Sequence, residues 1–180
     1  MGFNSFVEGH PAPIVISIKL PRIVSTSKDL REVASAIDAV DSILKTTWAK
    51  TWPTHWSRSR RERPTYLLSF HVASPPDFKI FADPAWLAVL IAILASYRQI
   101  KDNVGEIAND VRSLIKGIRG LSEHQAQMLE IAVMLWLDRA LVTGEQASRK
   151  TAEKLHRTRQ KLLGESDAAP DIEITDIDHR

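Results

Sequence analysis

Apolar and polar positions alternate near the start of the chain and then give way to helical spacing. Ile14, Ile16, Ile18 and Leu20 alternate with Val15, Ser17 and Lys19, a period of two with β-branched residues that predicts a strand with one buried face. From residue 28 the spacing changes. Leu30, Val33, Ile37, Val40 and Leu44 step by three and four and share one helical face. Thr26 or Ser27 can cap this helix by accepting a backbone N–H bond, and Pro53 ends any continuation. Tyr66, Leu68, Phe70 and Val72 alternate again and predict a second strand, stopped by Pro75 and Pro76. Phe78 with Ile80 or Phe81 suits a third, very short one. The first 75 residues therefore read strand–helix–strand, with a right-handed parallel crossover as the default if the two strands are neighbours. So few short strands make a marginal sheet, and more pairing is expected from the C-terminal tail or from another chain.

The next pattern is longer. Asp83 suits an N-cap and Pro84 the first helical position. Trp86, Leu90, Ile93, Tyr97, Ile100, Val104, Ile107, Val111, Leu114 and Ile118 then follow strict 4-3 spacing. That spacing predicts one long helix with a coiled-coil-type seam, roughly 50 Å at 1.5 Å per residue. Gly105 is a weak point in it, and Gly117 and Gly120 end it. Ser122 and Gln125 have capping-box spacing, as do Thr143 and Gln146 at a break near Gly144. The stretch Ile131–Leu137 is apolar on every side, which predicts burial all round. Residues 145–163 are polar and basic around a thin stripe of Leu155, Leu162 and Leu163. Ile172 and Ile174 alternate like the edge of a strand.

These elements predict an α+β fold, mostly helical: a small N-terminal strand–helix–strand unit, then a long helical hairpin with a coiled-coil-type seam. The expected divisions are 1–82, with a Trp/Arg-rich connector at 48–64; the hairpin at 83–164; and an acidic tail at 165–180, read as flexible.

Composition narrows the function classes. The chain has 180 residues, no cysteine and a net charge of +2. Six acids and one base give residues 165–180 a net −5, which leaves +7 on the rest, a basic body with an acidic tail. Without cysteine there are no disulfides or thiolate metal sites. Met1–Pro13 lacks the basic and apolar regions of a signal peptide, and the longest apolar run, Ala85–Ala95, falls short of the roughly 20 residues that span a bilayer. A cytoplasmic location is expected.

Catalytic motifs are missing: no GxSxG elbow, no HExxH and no phosphate-binding glycine loop. The histidines lie far apart without metal-ligand spacing. His71 reads as a structural strand residue, and Asp38 with Asp41 as a solvated helical face. No enzyme, cofactor, metal or catalytic residue is expected.

What remains is binding. The long seam exceeds the apolar stretch available to cover it, and uncovered apolar stripes mark interfaces. Self-association is expected, a dimer being commonest, through Tyr97, Ile100, Val104, Ile107, Val111 and Leu114. The expected function is thus a non-catalytic regulatory or interaction protein that self-associates and binds a partner macromolecule. An anionic partner would meet Arg58, Arg60, Arg61 and Arg63 beside Trp48, Trp52 and Trp56, and Arg149, Lys150, Arg157 and Arg159, since arginine binds phosphate bidentately and aromatics stack on bases. On this second reading the protein regulates through nucleic acid, and its acidic tail competes for the basic surface. A third reading is a peripheral membrane effector, dipping Ala85–Ala95 into lipid.

Residues 121–164 begin Leu121-Ser122 and end Ser148-Arg149-Lys150-Thr151 and Lys161-Leu162-Leu163-Gly164. At these two ends the spacing is similar to the helix-turn-helix output domain of LuxR-type response regulators. The middle departs from it, because Leu135, Trp136 and Leu137 stand where that family has its turn. The resemblance implies that Arg149, Lys150 and Arg157 lie near a DNA-facing helix.

Overall fold

The computed structural model describes residues 14–48, 66–71, 75–96, 104–142, 145–164, 166 and 168–176. In chain order these form β1 (Ile14–Lys19), α1 (Ser27–Ile43), β2 (Tyr66–His71), β3 (Asp77–Ala82), α2 (Pro84–Ala95), α3 (Val104–Lys116), α4 (Glu123–Val142), α5 (Glu145–Leu163) and β4 (Asp171–Asp176). A short π turn, Leu44–Trp48, extends α1. The fold is α+β with a small antiparallel sheet, as the sequence predicts in outline. The described residues do not confirm the long hairpin with a coiled-coil-type seam.

The sheet has the order β2-β3-β1-β4, and every neighbouring pair is antiparallel. β1 and β2 therefore run in the same direction but are not neighbours: β3 lies between them. This is the split β-α-β arrangement, not a parallel pair. β3 and β4 are related in the same way across β1, and four helices occupy their connection. The expected third strand is six residues long and central. The tail supplies the fourth, so the segment read as flexible is in part a sheet strand. Ile16 sits between Ile80 and Ile174, and Ile18 between Phe78 and Ile172. These residues are all buried. Residues opposite one another in antiparallel strands share a face, so this face meets the core.

β2 departs from strict alternation. Tyr66 pairs with Phe81 and Leu67 with Ile80, and the register then shifts before Ser69. A bulge of this kind interrupts the strict alternation of the strand. Phe70 stacks on Phe78 with ring centroids 6.3 Å apart.

The helix starts follow their caps. The Thr26 hydroxyl accepts from the Asp29 backbone N–H at 3.1 Å, and the Asp29 carboxylate accepts from the Thr26 N–H at 2.9 Å. This capping box satisfies two backbone N–H groups that the first turn would otherwise leave without a partner. The hydrogen bond from the Thr26 hydroxyl, with those from the Ser25 and Thr26 backbones and the Arg22 charge, holds the Asp29 carboxyl below its ordinary value of 3.8. Asp83 accepts from Ala85 N–H at the start of α2. Ser122 and Gln125 bond reciprocally at the start of α4.

The predicted 33-residue helix is two helices. α2 ends at Ala95, where the Ser96 hydroxyl donates to the Ile93 carbonyl at 2.7 Å, and α3 packs back against α2. The sequence misleads here for a physical reason. All twelve residues of α2 are buried, so any row drawn along it is apolar and can be spliced to the real apolar face of α3. α2 touches each of the other four helices, and its residues share one core cluster with the inward faces of β1, β3 and β4. That core runs across the boundary expected at residue 82.

Among the described residues, β4 is held on its outer side by Arg119. The Arg119 backbone donates to the Ile172 carbonyl at 3.0 Å and accepts from the Ile174 N–H at 2.8 Å. The next residue, Gly120, has φ +91°, and a Cβ there would stand 2.1 Å from the Ile174 carbonyl oxygen. Only glycine fits both the conformation and the gap.

Candidate functional site

Three surfaces could act. The first is the outer face of α4. Its inward residues Leu129, Ala132, Val133, Trp136 and Leu137 are buried. Ile131 and Leu135, one turn apart, are 43% and 42% exposed, with Met128 half-buried beside them. The expectation that Ile131–Leu137 is buried on every side is therefore corrected. α4 lies at the surface, against α2, α3 and α5, and a helix covered from one side leaves its opposite row in water. The sequence trace was present: His124 and Asp138 fall on the same row as Ile131 and Leu135 at helical spacing, and both are exposed. Arg112 of α3 is ion-paired with Glu130 on the flank of this row.

The second surface is α5, which runs beside α1. Arg149, Lys150, Lys154, His156 and Arg157 are exposed. The Lys154 ammonium donates to Ser42 at 3.4 Å, and that of Lys161 to Ser35 at 3.1 Å. Arg157 meets Glu153 of its own helix at 3.6 Å. Arg159 departs from this face. It is 9% exposed, and its Nε donates to the Leu94 carbonyl at 3.2 Å. A cation is favoured at the negative end of a helix dipole, and Arg159 occupies that position for α2. Its assignment to an anionic partner is corrected: the side chain is inside and serves the core.

The third cluster surrounds Arg22, which the sequence did not single out. One of its terminal nitrogens donates to the Lys161 carbonyl, near the end of α5, at 2.6 Å. The other meets Asp29 at 3.2 Å and Glu32 at 3.4 Å in the first turns of α1. Arg22 thus joins the end of one helix to the start of another. Asp29 and Glu32 stand three apart, a spacing one cation can bridge, and this is the only sign of it in the sequence.

Ile107 and Val111 are buried in the chain's own core, and Leu114 packs partly buried against it. Val104 opens α3. Tyr97 and Ile100 lie outside the described residues, as do Trp52, Trp56, Arg58, Arg60, Arg61 and Arg63. His71 and Asp77 approach to 3.9 Å, both largely exposed. Asp41 pairs with Lys45 at 2.6 Å, and Asp38 is exposed. Asp171 and Glu173 of the acidic tail meet Arg119 at 3.1 and 3.6 Å, so these two acids are engaged at the sheet and not on α5. Leu135, Trp136 and Leu137 lie inside the continuous helix α4, which removes the turn that the helix-turn-helix resemblance requires. Among the described residues no three metal-ligating side chains gather at one place, and no helix is long and apolar enough to cross a membrane. No family model, curated protein or solved structure matches this chain.

Proposed function

We propose that this chain is a non-catalytic interaction protein that pairs with a second copy of itself through the outer face of α4. The observation that carries the reading is the exposure of Ile131 and Leu135 on one helical row. Two large apolar side chains one turn apart, with a half-buried methionine beside them, are the kind of patch that marks a contact surface. The long seam first expected to serve this role is spent on the chain's own core at Ile107 and Val111, so the interface moves from α3 to α4. A two-fold axis crossing α4 between Ile131 and Leu135 would set Ile131 of one copy against Leu135 of the other. Such self-complementarity is what a symmetric dimer needs.

The test is absolute mass by light scattering after size exclusion, over a range of concentrations, on wild type and Ile131→Asp/Leu135→Asp. A dimer that the double variant dissociates, with its circular dichroism unchanged, is the expected result. A monomer at every concentration would reject self-association. A dimer untouched by the substitutions would place the contact elsewhere.

A further inference from the structure

We infer that the outer face of α5, with the adjoining row of α1, is a binding track for the phosphate backbone of double-stranded nucleic acid. The inference is independent of the pairing proposed for α4, because it concerns a different helix. Lys150, Lys154, Arg157 and Lys161 stand four, three and four residues apart, the spacing that keeps side chains on one helical face. They form a straight file of cations about 16 Å long at 1.5 Å per residue. Arg149 adds an exposed charge beside its first member.

The file is available to an anion. Lys150, Lys154 and Lys161 have no carboxylate partner among the described residues. Lys154 and Lys161 rest on the hydroxyls of Ser42 and Ser35. Arg157 has Glu153, but in an exposed pair, a type worth about 0–1 kcal/mol and easily exchanged. Ser35 and Ser42 lie seven apart on α1, with exposed Asp38 between them on the same row. The serines are small neutral donors of the kind that contact phosphate oxygens. Asp38 and Glu153 stand on this surface, and Glu32 and Asp29 border its Lys161 end, where Arg22 holds them; these acids moderate its affinity.

The chemistry favours a duplex backbone over the other polyanions. A helix that enters a lipid surface carries exposed apolar residues beside its cations. Here Leu155, Leu162 and Leu163 are 0–2% exposed, so lipid headgroups would be held by charge alone. Binding of single strands rests on stacking platforms, and among the described residues this face carries no Phe, Tyr or Trp. A linear array of cations flanked by hydroxyl donors suits a linear array of phosphates read without base contacts.

The experiment measures fluorescence anisotropy of a short labelled duplex of mixed sequence with the full chain. Binding at 50 mM salt is expected to weaken by roughly 40–150-fold at 200 mM, as three to four neutralised phosphates require. Lys150→Glu/Lys154→Glu/Arg157→Glu should lose at least about tenfold with circular dichroism unchanged. Lys150→Glu alone, which breaks no contact in the fold, should lose a smaller part. No binding at 50 mM overturns the inference. So does binding that the charge reversals leave intact, since it would then run through other residues. Tighter binding to vesicles containing phosphatidylserine than to the duplex would replace nucleic acid with a membrane surface.

Discussion

α2 and α4 are the two most apolar helices by inspection of the sequence, and they end in opposite environments. α2 has all twelve of its residues buried. α4 carries an equally apolar heptapeptide, Ile131–Leu137, yet shows Ile131 and Leu135 to solvent. The difference lies in how many neighbours surround each helix. α2 lies among the four other helices, whereas α4 packs against three and leaves its outer row exposed. Local hydrophobicity thus states how much burial a helix can use, and the number of elements packed round it decides how much it gets. Where the two disagree, apolar surface is left over, and the left-over row on α4 is what the self-association proposal rests on.

The comparison can be broken most directly with one residue type placed on both helices. Leu90→Ala in α2 removes a side chain that is 1% exposed and should cost about 2–5 kcal/mol, by the transfer and cavity terms together. Leu135→Ala in α4 should cost less than about 1 kcal/mol. Urea unfolding monitored by circular dichroism measures both. Equal losses at concentrations where the chain is monomeric would mean that the outer row of α4 is covered by the chain's own elements, and the contrast would fail. The two arginines that tie these helices give the next largest effect. Arg159→Met leaves the Leu94 carbonyl without its donor in the core and should cost about 1–3 kcal/mol. Arg112→Met breaks only the pair between α3 and α4, whose arginine is 56% exposed, and should cost under about 1 kcal/mol. A larger loss from Arg112→Met would reverse the ranking of centre and periphery.

The smallest effect serves as a control on neither helix. The Asp29 carboxyl sits below its ordinary value of 3.8 because the Thr26 hydroxyl and nearby backbone N–H groups bond to its charged form. A depressed acid contributes stability that is fully present above its unfolded value and is lost as pH falls through the folded one. Its contribution should therefore be constant near neutrality and fade only below about 3.8. Asp29→Asn should flatten part of the acid limb of a stability–pH curve while leaving the difference between Leu90→Ala and Leu135→Ala unchanged. An acid limb identical in the two proteins would remove Asp29 as its source.

Much of the fold was legible in the sequence wherever a pattern had one reading. β1 alternates cleanly, and its buried face is the predicted one. The caps at Thr26, Asp83 and Ser122 mark real helix starts, and α3 ends before Gly117. Ile172 and Ile174 announced a strand in the acidic tail. What was not legible depends on three-dimensional neighbours. No row in Ala85–Ala95 is distinguished from any other, so the turn at Ser96 left no periodic trace. The place of β3 between β1 and β2 is a property of the sheet and not of any strand. Of the candidate sites, the exposed cations of α5 were visible as sequence. The inward turn of Arg159 was not, because its partner is a backbone carbonyl 65 positions away. Ile131 and Leu135 looked like core because they are flanked by core.

The placement of β4 has a consequence for the order in which the molecule can be completed. β1 is the first described element and β4 the last, yet they are bonded side by side along their full length. On a ribosome, β1 can meet β3 once residue 82 has emerged. Its other edge stays open while four helices are synthesised. Pairings this distant in sequence are slow to form, and an unpaired edge is a template for foreign strands. The growing chain therefore carries an open strand edge while α2 to α5 are made, and β4 is the strand that seals it.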